Sequence, residues 1–303
     1  MATPGDVTAN TLRRGDVAID YAVHGAESGT PLLMAMGLGM QRTAWPASLL
    51  DALCARGFRC ITFDNRDIGL STRYDASGVP RLHRVFAARL LQRKFPTPYT
   101  LADIADVGVA WLDHLGIARA HVLGMSMGGM IAQHVASRHA ARVDSLTLMS
   151  TTSGRLGLPF PAAQVMRLML SRPDPRSGMA VATDYVVRMF SAIGSPGFPT
   201  PREDMQRRAE AGLRRAPSGH GISRQIAAIV SDGDRTPMLR KLEARTLVLH
   251  GHDDPMVPIA HGRQLAAVIP KARLHDIRGW GHDLPDALNG ELAQLIAAHA
   301  LLV

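Results

Sequence analysis

The sequence predicts an α/β protein: a mostly parallel central sheet with helices on both faces, interrupted by one helical insertion. Two observations predict it. Short apolar runs alternate with amphipathic stretches over residues 31–149 and again over 246–302. That rhythm is how parallel strands wound with crossover helices read. Between them, residues 153–238 hold helical patches and many Pro and Gly, but no convincing strand. The chain therefore divides into a core, 1–152 with 239–303, and a helical cap, 153–238.

The elements follow in order. Leu12-Arg13-Arg14 and Val17 to Val23 read as two strands around a Gly15-Asp16 turn. Pro31 to Met36 is a continuous apolar run, the mark of a strand covered on both faces. Pro46 to Arg56 reads as a helix with Leu49, Leu50, Leu53 and Cys54 on one side and Gly57 as its stop. Cys60 to Phe63 is the next strand, and Leu101 to Leu115 an amphipathic helix ended by Gly116. His121 to Leu123 is a strand, Ser126 to Arg138 a helix, and Leu146 to Met149 a strand again. After the insertion come a strand at Thr246–His250, a helix at Ile259–Val268, a strand at Ala272–His275 and a closing helix at Leu288–Leu302.

Composition excludes several classes. With 303 residues, 46% of them hydrophobic, the chain can bury a large core. Two cysteines, Cys54 and Cys60, make no disulfide framework and read as small buried apolar residues. The net charge is +8, but the arginines stand singly or in pairs, with no interleaved aromatics, so no nucleic-acid partner is expected. Met1 to Asp6 lacks the charge and apolar run of a signal peptide, and no stretch of eighteen apolar residues exists. A cytoplasmic protein, monomeric or homodimeric, with no membrane partner is the expectation.

The chemistry starts at Gly124-Met125-Ser126-Met127-Gly128. This is G-x-S-x-G between a predicted strand and a predicted helix. A serine there sits on a sharp strained turn that lifts its hydroxyl above the sheet. The flanking positions must be tiny, and the helix behind points free N–H groups at developing negative charge. A serine hydroxyl also needs a base, and the base needs an orienting carboxylate. Asp253 and Asp254 follow the strand that ends at His250, and either could orient a base. No acid stands near Ser150 to Ser153, after the preceding strand. His282, in Gly279-Trp280-Gly281-His282, lies between the last strand and the last helix and is the candidate base. The N–H of Met127 and one from the loop Met36-Gly37-Leu38-Gly39-Met40 are candidate oxyanion donors. No HExxH or Cys-x-x-Cys is present, so no metal and no cofactor are expected.

Together these segments resemble the α/β-hydrolase superfamily over nearly the whole chain. Phe63-Asp64-Asn65-Arg66-Asp67-Ile68-Gly69-Leu70-Ser71 looks like its D-x-R-x-x-G-x-S segment, which is usually structural there. The resemblance implies Asp254 as the acid, from the spacing Gly, two residues, Asp, three residues, Pro. Asp253 is then a turn residue. Met36 stands where relatives commonly have His, and the resemblance implies Leu38 as the donor, with Gly39 second. Met36-Gly37, Ala44-Trp45-Pro46, Asn65-Arg66-Asp67, His252 to Pro255 and Leu284-Pro285 are closest to aclacinomycin methylesterase-type bacterial carboxylesterases. That likeness implies serine-dependent hydrolysis of small, largely apolar esters through an acyl-enzyme. Haloperoxidase-like enzymes, lactonases and C–C bond hydrolases carry the same triad and stay open, as does a non-catalytic receptor on the same fold. The insertion's Met189 and Phe190 are expected to line the substrate pocket. Its twelve arginines, against seven acidic residues, are expected on its outer face.

Overall fold

The computed structural model describes residues 8–301 apart from 92, 94, 175 and 218. The expectations for Met1–Asp6 and for Leu302 in the closing helix lie outside these residues.

Eight strands form one sheet among the described residues. They are β1 (Thr8–Arg14), β2 (Val17–His24), β3 (Thr30–Ala35), β4 (Phe58–Phe63), β5 (Ala120–Met125), β6 (Val143–Met149), β7 (Arg245–Gly251) and β8 (Arg273–Ile277). Their spatial order is β1-β2-β4-β3-β5-β6-β7-β8. β2 pairs antiparallel with both β1 and β4, and every other pairing is parallel. The sheet is thus mostly parallel, and its edge hairpin is the antiparallel part.

Residue alternation assigns the two faces. Leu33 and Ala35 of β3, Val122 of β5 and Leu146 and Leu148 of β6 pack with α3 (Leu101–His114) and α4 (Met127–Arg138). Leu32 and Met34, Leu123, and Met149 point the other way. They meet α1 (Ala47–Cys54) and α11 (Asp286–Ala300). A strand sending successive side chains to opposite faces must be apolar at every position when both faces are covered. This explains the unbroken apolar runs. Cys60 is buried in the second cluster and Cys54 is half-buried beside it, both as free thiols.

β3 has β4 on one side and β5 on the other, so the winding direction reverses there. At such a switch point the loops leaving the strands' C-terminal ends separate and open a crevice. The loops after β3 and β5 therefore lie side by side.

α2 (Leu82–Leu90) is a helix absent from the sequence expectations. Only Val85 of it is buried, while Phe86 and Leu90 face solvent. Leu82, Val85, Phe86 and Leu90 do repeat at helical spacing, but the fold fully buries only Val85 of that side. α10 (Ala260–Val268) covers β7 and β8.

The segment between β6 and β7 supplies α5 (Ala163–Leu170), α6 (Met179–Ile193), α7 (Arg202–Arg215), α8 (Gly221–Asp232) and α9 (Thr236–Leu239). Its arginines do not all face outward, which corrects the expectation above. Arg224 is 1% exposed and forks both Nε and Nη2 onto the Asp67 carboxylate at 2.8 and 2.7 Å. Arg215 pairs with Asp64 at 2.7 Å and also with Asp20. Arg235 is buried against Asp232, Gln133 and the Thr152 carbonyl. Burying an arginine is costly only without a partner. Here Asp20, Asp64 and Asp67 wait in the core, so the Asp64–Asp67 segment is a dock for the insertion. Among the described residues, no helix is long and apolar enough to cross a membrane.

Candidate active site

Ser126 joins β5 to α4 with φ 54° and ψ −121°. This backbone region is strained for a residue with a Cβ, and it persists only where surroundings over-determine it. They do so here. The Ser126 N–H donates to the Met149 carbonyl at 2.9 Å, and its own carbonyl accepts from Thr151 Oγ1 at 2.6 Å and from Gly129 N–H at 2.9 Å. The two flanking glycines are obligatory. A Cβ on Gly124 would lie 2.1 Å from the Gly128 carbonyl oxygen, and one on Gly128 would lie 1.9 Å from the Ala35 carbonyl oxygen.

Asp254 stands just beyond β7 and is 4% exposed. Its Oδ1 accepts from the N–H groups of Met256 (2.8 Å) and Val257 (2.7 Å), which leaves Oδ2 for a side chain. That side chain is His282, in the loop between β8 and α11 and 7% exposed. Nδ1 of His282 lies 2.7 Å from Asp254 Oδ2, and Nε2 lies 3.1 Å from Ser126 Oγ. A carboxylate can only accept, so it fixes the Nδ1–H tautomer and turns the Nε2 lone pair toward the serine hydroxyl. Ser126 and His282, 156 positions apart in the chain, thus meet Asp254 in one hydrogen-bonded line.

Asp253 takes a different place. It is exposed, and its Oδ2 accepts from the Gly279 N–H at 2.7 Å, bracing the loop that carries His282. His250 and His252 take separate partners. Nε2 of His250 donates to the Val257 carbonyl at 2.7 Å, while His252 pairs with Asp276 at 3.0 Å. Among the described residues, no three His, Cys, Asp or Glu side chains gather as a metal site.

The loop after β3 lies against the serine. A Cβ on Gly37 would come within 3.2 Å of Ser126 Cβ. The Gly39 N–H is already taken: it donates to Oε1 of Gln225 on α8 at 2.9 Å. The N–H groups of Leu38 and Met127 have no hydrogen-bond partner among the described residues. Met127 opens α4, where the first N–H groups have no intrahelical acceptor.

Met189 and Phe190 are half-buried on α6, one turn before its end. The insertion's direct link to the His282 loop comes slightly later. The His282 backbone N–H donates to the Ile193 carbonyl at 2.8 Å. Ser195 Oγ donates to Asp283 Oδ1 and accepts from the Gly281 N–H at 3.0 Å. Burial raises the Asp283 carboxyl above the ordinary carboxylate value, opposed by the Ser195 hydrogen bond. Ser195, Gln225 and Asp283 were missed in the sequence. No motif marks them, because their position depends on how the insertion folds back.

Burial also holds five histidines, His24, His121, His250, His261 and His299, below the ordinary value of about 6.5. These imidazoles take up protons less readily in the fold than in the unfolded chain, so their contribution is complete above about pH 6.5 and is lost as pH falls. Asp283 acts oppositely, but it is one carboxyl against five imidazoles. The urea midpoint is expected to be lower at pH 5.5 than at pH 7.5. An equal or higher midpoint at pH 5.5 would show that these histidines are protonated in place.

A family model described as alpha/beta hydrolase fold matches residues 30–286. The chain belongs to this family. It is similar to the rhodomycin D methylesterase DauP of Streptomyces sp. (strain C5), 28% identical over 91% of this chain and 92% of that one. It is equally similar to the rhodomycin D methylesterase DnrP of Streptomyces peucetius, 29% identical with the same coverage. Among solved structures, a hydrolase from Pseudomonas aeruginosa PA01 superposes with a TM-score of 0.66 at 27% identity, covering 97% of both chains. The 2-hydroxy-6-oxo-6-phenylhexa-2,4-dienoate hydrolase from Rhodococcus sp. strain RHA1 reaches a TM-score of 0.73 at 18% identity, covering 98% of this chain and all of that one, and shows the shared fold.

Proposed function

We propose that the chain is a serine-dependent carboxylic ester hydrolase with Ser126 as nucleophile, His282 as base and Asp254 as the acid that orients it. The observation that carries this reading is the continuous line Ser126 Oγ–His282 Nε2 and His282 Nδ1–Asp254 Oδ2, at 3.1 and 2.7 Å. The likeness to two methylesterases supports an ester as substrate.

The steps follow from the geometry. His282 Nε2 takes the Ser126 proton as Oγ attacks the ester carbonyl carbon. The carbonyl oxygen becomes an oxyanion, held by the N–H groups of Leu38 and Met127. The tetrahedral intermediate collapses, and the imidazolium returns the proton to the departing alcohol. Water, deprotonated by the same nitrogen, then attacks the acyl-enzyme; as the acyl–oxygen bond breaks, the imidazolium returns the proton to Ser126 Oγ and the acid leaves. Asp254 stabilises the imidazolium at each stage without itself taking the proton.

Residues 153–238 serve as the cap over this site, and their half-buried apolar side chains on α6 form part of its wall. A chain-length panel of p-nitrophenyl esters, run beside lactones and methyl esters, tests the substrate class. Hydrolysis of lactones with no ester turnover would overturn it. Within the panel, Phe190→Ala and Met189→Ala are expected to shift the short-to-long ratio of kcat/KM while barely changing stability. A ratio within about twofold of the parent in both variants removes them from the pocket wall, since one methylene in an apolar pocket is itself worth about tenfold or more.

A further inference from the structure

Among the described residues, hydrogen bonds to other segments hold residues 36–41 after β3 at three points, two of them on the insertion. At the near end, Asn65 Nδ2 donates to the Met36 carbonyl at 2.9 Å. At the far end, Gln41 Nε2 donates to the carbonyls of Gly212 and Ala216, at the end of α7, at 2.7 and 2.8 Å. The Gln41 Oε1 accepts from Arg215. In the middle stands Gln225, 0% exposed on α8. Its Oε1 accepts the Gly39 N–H at 2.9 Å, and its Nε2 donates to the Arg66 carbonyl at 2.9 Å. Gly39 has φ 71°, and a Cβ there would meet Ile222 Cδ1 of α8 at 2.7 Å, so the helix presses directly on the loop.

We infer that Gln225 is a positioning residue for the oxyanion hole. The inference rests on the ester-hydrolase reading above. Two adjacent loop N–H groups, of Leu38 and Gly39, compete for the role of second donor. By engaging Gly39, Gln225 fixes the peptide planes of the loop and leaves Leu38 N–H as the donor beside Ser126. Gln225 touches no reacting atom. It acts through the loop, and it makes the oxyanion site depend on the insertion being docked. A preset donor costs no reorganisation when charge develops, so losing its position should weaken binding of the transition state more than that of the substrate.

The side-chain chemistry allows a graded test. Gln225→Met removes both hydrogen bonds at similar volume. Gln225→Asn keeps both groups but withdraws them by one methylene. Gln225→Glu keeps an acceptor for Gly39. A trifluoromethyl ketone forms a hemiketal oxyanion with the serine, whereas the matching methyl ketone reports ground-state binding, so their affinity ratio reads the hole independently of folded fraction.

The Met and Asn variants are expected to lose roughly 10- to 100-fold in kcat, somewhat less than removal of a donor outright, with KM changed less than about threefold. Their ketone ratio should fall by a similar factor, and Gln225→Glu, which keeps the acceptor for Gly39 but not the donor to the Arg66 carbonyl, should lie between them and the parent. A merely structural glutamine would lower the melting temperature and leave the ratio alone. A ratio within about twofold of the parent in both the Met and Asn variants overturns the inference. If the parent itself shows no preference for the trifluoromethyl ketone, the nucleophile reading fails, and this inference with it. If the parent shows the preference and the variants keep it, this inference alone fails.

Discussion

Ser126→Ala is expected to abolish hydrolysis of activated esters and leave the fold intact. In the proposed mechanism the Ser126 hydroxyl oxygen forms and breaks the acyl bond. Loss of the nucleophile in a triad costs on the order of a million-fold, leaving only the effects of binding and the oxyanion donors. The substitution keeps the Cβ, so the strain at φ 54° is unchanged, and the backbone bonds to Met149, Thr151 and Gly129 do not involve the side chain. Stopped assays on an activated p-nitrophenyl ester, with a thermal melt as control, check this. A folded variant with more than a tenth of the parent rate contradicts the mechanism.

The two neighbouring carboxylates should separate by orders of magnitude. Asp254→Asn is expected to lose roughly a thousand-fold or more in kcat, because an amide can favour the wrong imidazole tautomer and no longer offsets the imidazolium charge. Asp253→Asn is expected to lose less than about tenfold by comparison, far short of the triad effect. The amide oxygen introduced by Asp253→Asn can still accept from the Gly279 N–H, which preserves the bond Asp253 makes to the His282 loop. Steady-state kinetics on both variants decide it. Reversed magnitudes would mean that the spacing and the hydrogen bond to His282 misidentify the acid.

Much of this was legible in the chain because the informative signals are local. An apolar run such as Leu32 to Ala35 reads as a buried strand, since both faces of that strand are covered. Gly124 and Gly128 mark the sharp turn at Ser126 because close backbone approach leaves no room for a Cβ. Asp254 and His282 are tied to strand ends, and a parallel sheet puts all such ends on one side. The illegible part is tertiary. The expectation that the insertion's arginines face solvent failed because Asp67 and Asp64, more than 150 residues upstream of Arg224 and Arg215, supply buried partners. Gln225 and Ser195 carry no signal either, as a single side chain on a helix or loop does not announce which segment it will meet. α2 was missed although Leu82, Val85, Phe86 and Leu90 repeat at helical spacing; the helix is short, and only Val85 of that side is fully buried.

The central claim is that one hydroxyl, Ser126 Oγ, is made nucleophilic by the line to His282 and Asp254. Its most direct test is covalent. The protein is treated with a fluorophosphonate, digested, and mapped by mass spectrometry, with residual esterase activity followed in parallel. One phosphonyl adduct per chain is predicted, on the peptide carrying Ser126, appearing at the rate at which activity disappears and slowed strongly in Asp254→Asn. An adduct on another residue accompanying inactivation, or full inactivation with Ser126 unmodified, would contradict the account.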